Sequence, residues 1–410
     1  MKLLRLELDE FRAYRHAELN VPPDGLRLYG ANASGKTSLL ESIYLLATTR
    51  SPRASLEREL INWESNVEYG LAPFARVATD IRSMAGHDWK LELTLSADSA
   101  RSNTVRKRAK VDGRASRISD IVGRLKVVLF SPEDLNLVLG SPSIRRRFLD
   151  ITISQLDRAY LRSLSRYGKL VERRNSLLKD LAARGAGRSA DEELAYWDEE
   201  FTTYAAYLLA ARYRYLAGMS GEITRAFSEL YDGDLTLSVE YSGTVDVPVA
   251  QIERVVQGSI ADAQPLFARA IESQLRRRRS EEMRRGSTVL GPHRDDFSYL
   301  IDGRDLSAFG SRGQQRLAVV ATKLAELARV MELTQEPPIL LLDDVLSELD
   351  PVHQEQLLGV LGRTGCQIIV TATARDLLQH PALSMLPEAE VSNGRVRILG
   401  DHHGGAEASD

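Results

Sequence analysis

The chain has 410 residues, of which 43% are hydrophobic and 27% charged, and it carries a formal net charge of −3 at pH 7. That is the balance of a globular protein with room for two or three domains, each able to bury a core; it excludes a polycation, so any hold on nucleic acid must come from local patches. The single cysteine, Cys366, excludes an intramolecular disulfide and a CxxC zinc site, and no segment resembles a signal peptide or an apolar spanning helix, so a reducing cytoplasmic setting without membrane contact is expected.

In chain order, Leu3, Leu4, Leu6 and Leu8 predict a first strand, and a loop follows over 11–14. Residues 26–29 read as a short buried strand that runs into Gly30, and Leu39, Leu40, Ile43 and Leu46 predict a helix over 36–46. Shorter alternation over 67–95 predicts an antiparallel layer, with Asp112-Gly113 as a hairpin turn and 127–130 as a buried strand. After Pro142 the sequence turns to Leu, Ala, Arg and Glu with helical spacing, broken at 185–189 by Gly185, Gly187 and Ser189 as in the turn of a helical hairpin. A short strand pair near 235–241 and a helix over about 250–285 complete this insertion. Mixed spacing then returns: a strand over 297–301 with an Asp302-Gly303 turn, a helix over 314–333, a buried strand over 338–342, a helix over 351–361, a buried strand over 367–371 and a hairpin at Asn393-Gly394. The tail 402–410 is expected to be disordered.

Gly30-Ala31-Asn32-Ala33-Ser34-Gly35-Lys36-Thr37, followed by Ser38, satisfies the phosphate-loop pattern GxxxxGK[ST] between a predicted strand and a predicted helix. Its backbone N–H groups and helix N-terminus suit phosphate oxygens; Lys36 should reach the terminal phosphates of ATP and Thr37 should bind Mg²⁺. The apolar run 339–342 ends in Asp343 and Asp344, which supplies a metal-side carboxylate in Asp343 and a second one in Asp344 placed to orient or deprotonate water. Ser311, Gly313 and Gln314, just before a predicted helix, resemble the signature loop of ABC-type ATPases, which completes the phosphate site of a second subunit.

Three further stretches make the resemblance specific. Pro132-Glu133-Asp134-Leu135 leads through Gly140-Ser141-Pro142 to Arg145-Arg146-Arg147-Phe148-Leu149-Asp150; Gly291-Pro292-His293-Arg294-Asp295-Asp296 lies downstream; and Asp344-Val345-Leu346-Ser347-Glu348-Leu349-Asp350 is followed by His353. Together with the phosphate loop they resemble the RecF family over nearly the whole chain. The resemblance implies an α/β fold: a phosphate-loop ATPase lobe like the heads of ABC and SMC proteins, with an antiparallel β layer, plus a helical insertion lobe. The corresponding domains are 1–141, 142–285 and 286–401. It further implies ATP and Mg²⁺ as cofactors, an ATP-dependent homodimer, binding to gapped DNA, work with RecO and RecR in loading RecA, and slow ATP hydrolysis. Arg12, in the early loop, falls where relatives contact nucleotide, and Asp350 falls in the interface loop. Asp344 stands where transporter ATPases usually have Glu, and Thr371-Ala372-Thr373 stands where they have a switch histidine, so slow turnover is expected.

Several assignments stay open on the sequence. Arg106, Lys107, Arg108, Lys110 and Arg114 form a basic stretch that is either a solvated face or a DNA contact, and the same choice applies to the run 276–279 with Arg284 and Arg285. His293-Arg294 is either an ion-paired structural turn or part of an interface, and the arginines at 145–147 either pair with acids such as Asp150 or meet phosphate. An ABC-transporter subunit shares the first three motifs, but about 280 residues separate its phosphate loop from its signature here, longer than such subunits usually allow, and a non-hydrolysing scaffold would share the nucleotide site.

Overall fold

Strand β1 (Lys2–Phe11) turns through Arg12 and Ala13 into β2 (Tyr14–Asn20), with Arg12 held in the left-handed region at φ 53°. This is a computed structural model; it describes residues 1–65, 72–98, 103–185 and 189–399. After β2 come β3 (Gly25–Tyr29), the phosphate-loop segment and α1 (Lys36–Thr48). Next are β4 (Phe74–Arg82), β5 (Asp88–Ala97), β6 (Val105–Val111), β7 (Arg114–Ser116), the short α2 (Ile118–Ile121) and β8 (Val127–Phe130). The hairpin between β6 and β7 turns at Asp112-Gly113, both at positive φ, as two-residue hairpins require. The remaining elements are α3 (Asn136–Leu139), α4 (Pro142–Leu156), α5 (Arg158–Arg184), α6 (Ser189–Leu230), β9 (Leu237–Ser242), α7 (Val249–Gln257) and α8 (Ile260–Arg285). They are followed by β10 (Asp296–Ile301), β11 (Arg304–Asp305), α9 (Leu306–Phe309), α10 (Arg312–Thr334), β12 (Ile339–Asp343), α11 (Pro351–Leu361), β13 (Gln367–Ala372), β14 (Glu388–Ser392) and β15 (Arg395–Leu399).

The chain divides into two compact units, residues 1–133 with 330–410 and residues 134–329. The first holds two six-stranded sheets. One is antiparallel, in the order β2-β1-β4-β5-β6-β7, and β5 shows why: Leu91, Leu93, Leu95 and Ala97 are buried while the residues between them are not, the alternation of a half-buried sheet. The other runs β15-β14-β3-β13-β12-β8, parallel from β14 to β8 with β15 antiparallel at the edge. Every residue of β12 and β13 is buried, as a parallel strand covered on both faces demands. Helix α1 ties the sheets together: Leu39, Leu40, Ile43 and Leu46 join one core with Leu6 and Leu8 of β1, Leu93 of β5, and Ile339, Leu341 and Ile369 of the parallel sheet.

The second unit packs α4, α5, α6 and α8 with a three-stranded sheet, β11-β10-β9. Two expectations need correction here. The strand near 235–241 has no local partner, because β9 pairs with β10 across more than 50 residues of sequence, Leu237 opposite Ile301. The helix expected over 250–285 is two helices, split at Gly258 where Ser259 starts a new capping box with Asp262. The pairing of β9 with β10 also draws residues 286–329 into the helical unit, so the compact units divide at 133/134 and 329/330 where the sequence suggests 141/142 and 285/286. Of the helical-hairpin turn, Gly185 caps α5 in the left-handed conformation; residues 186–188 lie outside the described residues, as does the tail 402–410. No helix among the described residues is long and apolar enough to cross a membrane.

Gln367 and Arg174 are buried polar groups whose partners tie separate elements together. Gln367, at the start of β13, accepts from Leu3 N at 2.7 Å and donates to the carbonyls of Leu3 and Pro22 at 2.9 and 2.8 Å, so one buried amide ties β1 to the parallel sheet. Arg174 of α5 is fully buried and reaches Glu282 of α8, Asp198 of α6 and Thr288. Such an ionic cluster fixes which helix faces meet, since a slipped helix would strand a charge without a partner. Gln367→Leu keeps the volume but leaves Leu3 N unsatisfied. Urea unfolding of this variant should show a loss of about 1–3 kcal/mol, the cost of an orphaned buried donor; an unchanged midpoint would mean that the amide contributes no net stability.

Candidate functional site

The order β3-β13-β12 builds the site. Loop 30–35 leaves the C-terminal end of β3, Asp343 ends β12, and β13 runs between them, so Thr371 stands at the strand end between loop and carboxylate. Crevices of this kind, outside the carboxyl ends of parallel strands, are where α/β sheets take ligands. Thr37 Oγ1 donates to Asp343 Oδ1 at 2.9 Å, Thr371 Oγ1 donates to the same oxygen at 2.9 Å, and Asp344 N donates to Thr371 Oγ1 at 3.0 Å. Lys36 Nζ donates to the carbonyls of Gly30 and Ala31 at 2.7 and 2.9 Å.

Glycine is required where the loop is tightest. A Cβ on Gly30 would stand 2.2 Å from the carbonyl oxygen of Val391, and Gly35 has φ 115° with the Tyr14 ring against its Cα. Tyr14 holds the loop from below: its buried hydroxyl donates to Gly35 O at 2.9 Å, and burial raises its pKa well above the usual range. Ala33 sits at φ 62°, an uncommon conformation for a residue with a side chain, so this loop carries strain that glycine would not.

Burial raises the pKa of Asp343, with the Thr37 and Thr371 hydroxyls opposing, and burial lowers that of Lys36, with Asp344 and Asp343 opposing. One carboxylate oxygen of Asp344, Oδ1, is buried without a hydrogen-bond partner, and Asp344 itself is at φ 53°. Strain and an unsatisfied acceptor at the end of a buried strand suit a residue that faces a ligand. The donor set fits Mg²⁺. Adjacent oxygens around an octahedral ion at about 2.1 Å lie roughly 3 Å apart, the spacing of Thr37 and Asp343. The remaining ligands of such an ion would come from phosphates and water.

These residues line a cavity of about 950 Å³ with Arg12, Arg15, Arg53, Trp63 and Thr373. Arg12 is aimed by a residue that the sequence analysis passed over. Glu41, almost fully buried on α1, accepts from Arg12 Nε and Nη2 at 2.8 Å each, and Ser51 donates to the same carboxylate. A charged residue inside the apolar face Leu39–Leu40–Ile43 was the available signal. Tyr14 and Trp63 gave none.

The signature residues belong to the second unit. Ser311 and Gln314 cap α10 reciprocally: Ser311 N donates to Gln314 Oε1 at 2.8 Å and Gln314 N to Ser311 Oγ at 3.3 Å, while Ser311, Arg312 and Gly313 stay exposed. Asp350, in the first unit, caps α11 through Val352 N and His353 N and pairs with the His353 ring, which together lower its pKa, the His353 side chain most.

The segment 291–296 lies at the centre of a buried network. Asp295 accepts from Tyr241 Oη and from Thr244 N and Oγ1; Arg145 forms a two-pronged bridge with Asp296 at 2.7 Å; Arg146 donates to Asp295 O; and fully buried Arg212 bridges Asp150 and Pro292 O. Asp150 therefore takes Arg212 as partner, with Arg145 and Arg146 turned to 295–296. Arg145 thus pairs with an acid on β10 and not with Asp150, and Arg146 with a backbone carbonyl.

The basic stretch of β6 splits across two faces. Arg106, Arg108 and Lys110 are exposed on one side, where Arg106 pairs with Asp98 and Lys110 with Glu92. Lys107 points the other way, donating to Thr49 O and pairing with Glu57, because successive strand residues face opposite sides. Lys107 thus leaves the proposed patch; Arg114 is exposed on β7. In α8, Arg276, Arg277 and Arg278 are exposed, whereas Arg279 turns inward to Asp191, Asp198 and Glu282.

A phosphate loop and an acidic strand end on either side of a central strand, with an antiparallel layer packed on α1, define an ATPase head of the ABC and SMC kind. The family model for the RecF/RecN/SMC N-terminal domain matches residues 2–387. The DNA replication and repair protein RecF of Thermomicrobium roseum is 50% identical over 97% of this chain and 99% of its own, and that of Herpetosiphon aurantiacus is 40% identical over 97% and 99%. Among solved structures, the recombination mediator protein RecF with ATP, of the RecFOR pathway, superposes with a TM-score of 0.81 at 30% identity over 97% of both chains. The Smc head domain of Pyrococcus furiosus, at 15% identity and a TM-score of 0.53 over 97% and 95% of the two chains, shares the fold. The chain belongs to the RecF family.

His293 generates a pH prediction. Its Nδ1 lies 2.6 Å from Tyr167 Oη, and burial lowers its pKa to about 4. A folded pKa below the unfolded value of about 6.5 means that the unfolded chain binds the extra proton first, so stability is lost as pH falls from the unfolded pKa through the folded one. Between pH 7 and 4.5 the wild type should lose about 1–3 kcal/mol more than His293→Gln. Parallel stability curves from denaturant titrations across that range would exclude histidine protonation as the cause.

Proposed function

We propose that this chain is an ATP-dependent recombination-repair protein whose nucleotide-driven dimerisation controls its hold on DNA at gaps, that it works with RecO and RecR to help load RecA, and that slow ATP hydrolysis resets it. The observation that carries this reading is the Thr37–Asp343–Thr371 cluster set against the phosphate loop, within a chain of the RecF family.

The chemistry follows from the residues. Loop N–H groups and the N-terminus of α1 hold phosphate oxygens, and Lys36, whose burial disfavours its charge, gains an anionic partner. Thr37 and Asp343 would hold Mg²⁺, which would supply charge neutralisation to the phosphates. Asp344, aimed by its left-handed backbone and the Thr371 hydroxyl, orients the attacking water. Asp is one methylene shorter than Glu, and Thr371-Ala372-Thr373 offers hydroxyls but no imidazole where transporters have a switch histidine, so turnover is slow. Arg12, fixed by Glu41, meets the nucleotide from the side of β1.

The exposed Ser311 loop completes the phosphate site of a second copy. Gly313 presents an N–H group and Ser311 a hydroxyl at the start of α10, a helix end that suits anions, and Gln314 braces Ser311 by accepting its N–H. Closure brings basic faces from two copies to DNA, where binding through phosphates is weakly sequence-specific and strongly salt-dependent.

The first test is solution mass with and without ATP and Mg²⁺. The wild type should shift from monomer to dimer, Ser311→Arg should bind ATP yet stay monomeric, and Lys36→Ala should lose both. A mass independent of nucleotide would remove the dimer switch. The second is the salt dependence of DNA binding. Neutralising Arg106, Arg108 and Lys110 together should reduce the log–log slope by up to about 3, whereas Lys107→Gln should leave it unchanged; an unaltered slope in the triple variant would exclude that face from the footprint.

A further inference from the structure

The indole of Trp63 lines the cavity beside the phosphate loop and is 89% exposed. An aromatic side chain of this size is normally at least partly buried, because leaving its apolar surface in water forgoes a large favourable term. Among the described residues, its ring stacks on no other aromatic ring or guanidinium. The backbone that carries it is nevertheless fixed. Asn62 N donates to Glu10 O at 2.7 Å and Asn62 Nδ2 to Arg12 O at 2.7 Å, while Asn62 Oδ1 accepts from Glu64 N at 2.9 Å and Asn62 O from Ser65 N at 3.2 Å. Ile61 bridges Phe11 at the end of β1, and Ser65 exchanges hydrogen bonds with Phe74 at the start of β4. A turn tied to two strands and to the backbone of Arg12 thus holds up a bare indole on the wall that Arg12 and the phosphate loop also form.

We infer that Trp63 is the platform on which the nucleotide's base stacks, with purines favoured over pyrimidines by their larger ring area. This rests on the nucleotide reading of the phosphate loop and deepens it, by assigning the end of the ligand that the loop motif does not address. Each polar atom of the Asn62 side chain is bonded to backbone, which fixes the turn; stacking tolerates either purine because each offers a π-face.

The test separates base from phosphate. Calorimetry would compare MgATP with magnesium tripolyphosphate, which lacks base and sugar, for wild type, Trp63→Ala and Trp63→Phe. Trp63→Ala should weaken ATP on the order of tenfold, in line with losing one base–aromatic stack, leave tripolyphosphate affinity unchanged, and be largely rescued in Trp63→Phe. Equal weakening of both ligands would make Trp63 a support of the loop and overturn the inference, as would unchanged ATP affinity in Trp63→Ala. Wild type that binds neither ligand would instead overturn the nucleotide reading itself. As an independent readout, a Trp89→Phe/Trp197→Phe protein reports Trp63 alone; its fluorescence should change with MgATP and not with magnesium tripolyphosphate, and indifference to both contradicts stacking.

Discussion

A hydroxyl and a carboxylate 2.9 Å apart, Thr37 and Asp343, join residues separated by more than 300 positions in the chain, and the architecture of the first unit serves to keep them there. Thr37 lies in the first turn of α1, Asp343 ends β12, and neither strand flanking the site is hydrogen-bonded to the other, because β13 lies between β3 and β12. That interposed strand sets the width of the crevice and places Thr371, fully buried, where it touches Asp343 and supports Asp344. Fully buried strands, a helix packed between two sheets and Gln367 stitching one sheet to the other all hold this spacing.

The two units use charge differently. On the outer face of the antiparallel sheet, Arg76 lies among Glu7, Asp9 and Glu92, and Glu92 also takes Lys110, so much of the positive charge read from the sequence is matched locally. Exposed pairs of this kind add little stability, but they narrow the surface left for an anionic partner. In the helical unit the ionic groups go inside. Arg174 and Arg212 are fully buried, and their carboxylate partners come from other helices, with the Pro292 carbonyl of a neighbouring turn added for Arg212. Buried pairs give little net stability but penalise any misalignment heavily, which suits a bundle whose long helices would otherwise slide. The segment 291–296, suggestive of chemistry as a motif, works in this unit as a junction: its carbonyls and carboxylates collect Arg145, Arg146 and Arg212.

The nucleotide site likewise combines rigid and strained parts. Arg12, Ala33 and Asp344, all non-glycine residues at positive φ, lie around one cavity. Each such position costs of order 1–3 kcal/mol, and for two of them the neighbours that hold them are identifiable: Glu41 and the hairpin turn for Arg12, and Thr371 for Asp344. Concentrating strain where ligand is to be met trades stability for preorganisation.

The sequence by itself determined the local grammar. The phosphate loop, the acidic end of β12 and the buried strands were legible because each is set by residues adjacent in the chain: glycine where φ must be positive, and unbroken apolar runs where both faces are covered. What depends on partners distant in sequence was not legible. Only the tertiary structure showed that Lys107 turns away from Arg106 and Arg108, that β9 waits for β10, that Glu41 aims Arg12, and that Trp63 stands bare above the loop. A residue's neighbours in the chain fix its preferences; which side of a strand faces water, and which charge finds which partner, is settled only when strands and helices from remote segments compete for the same space.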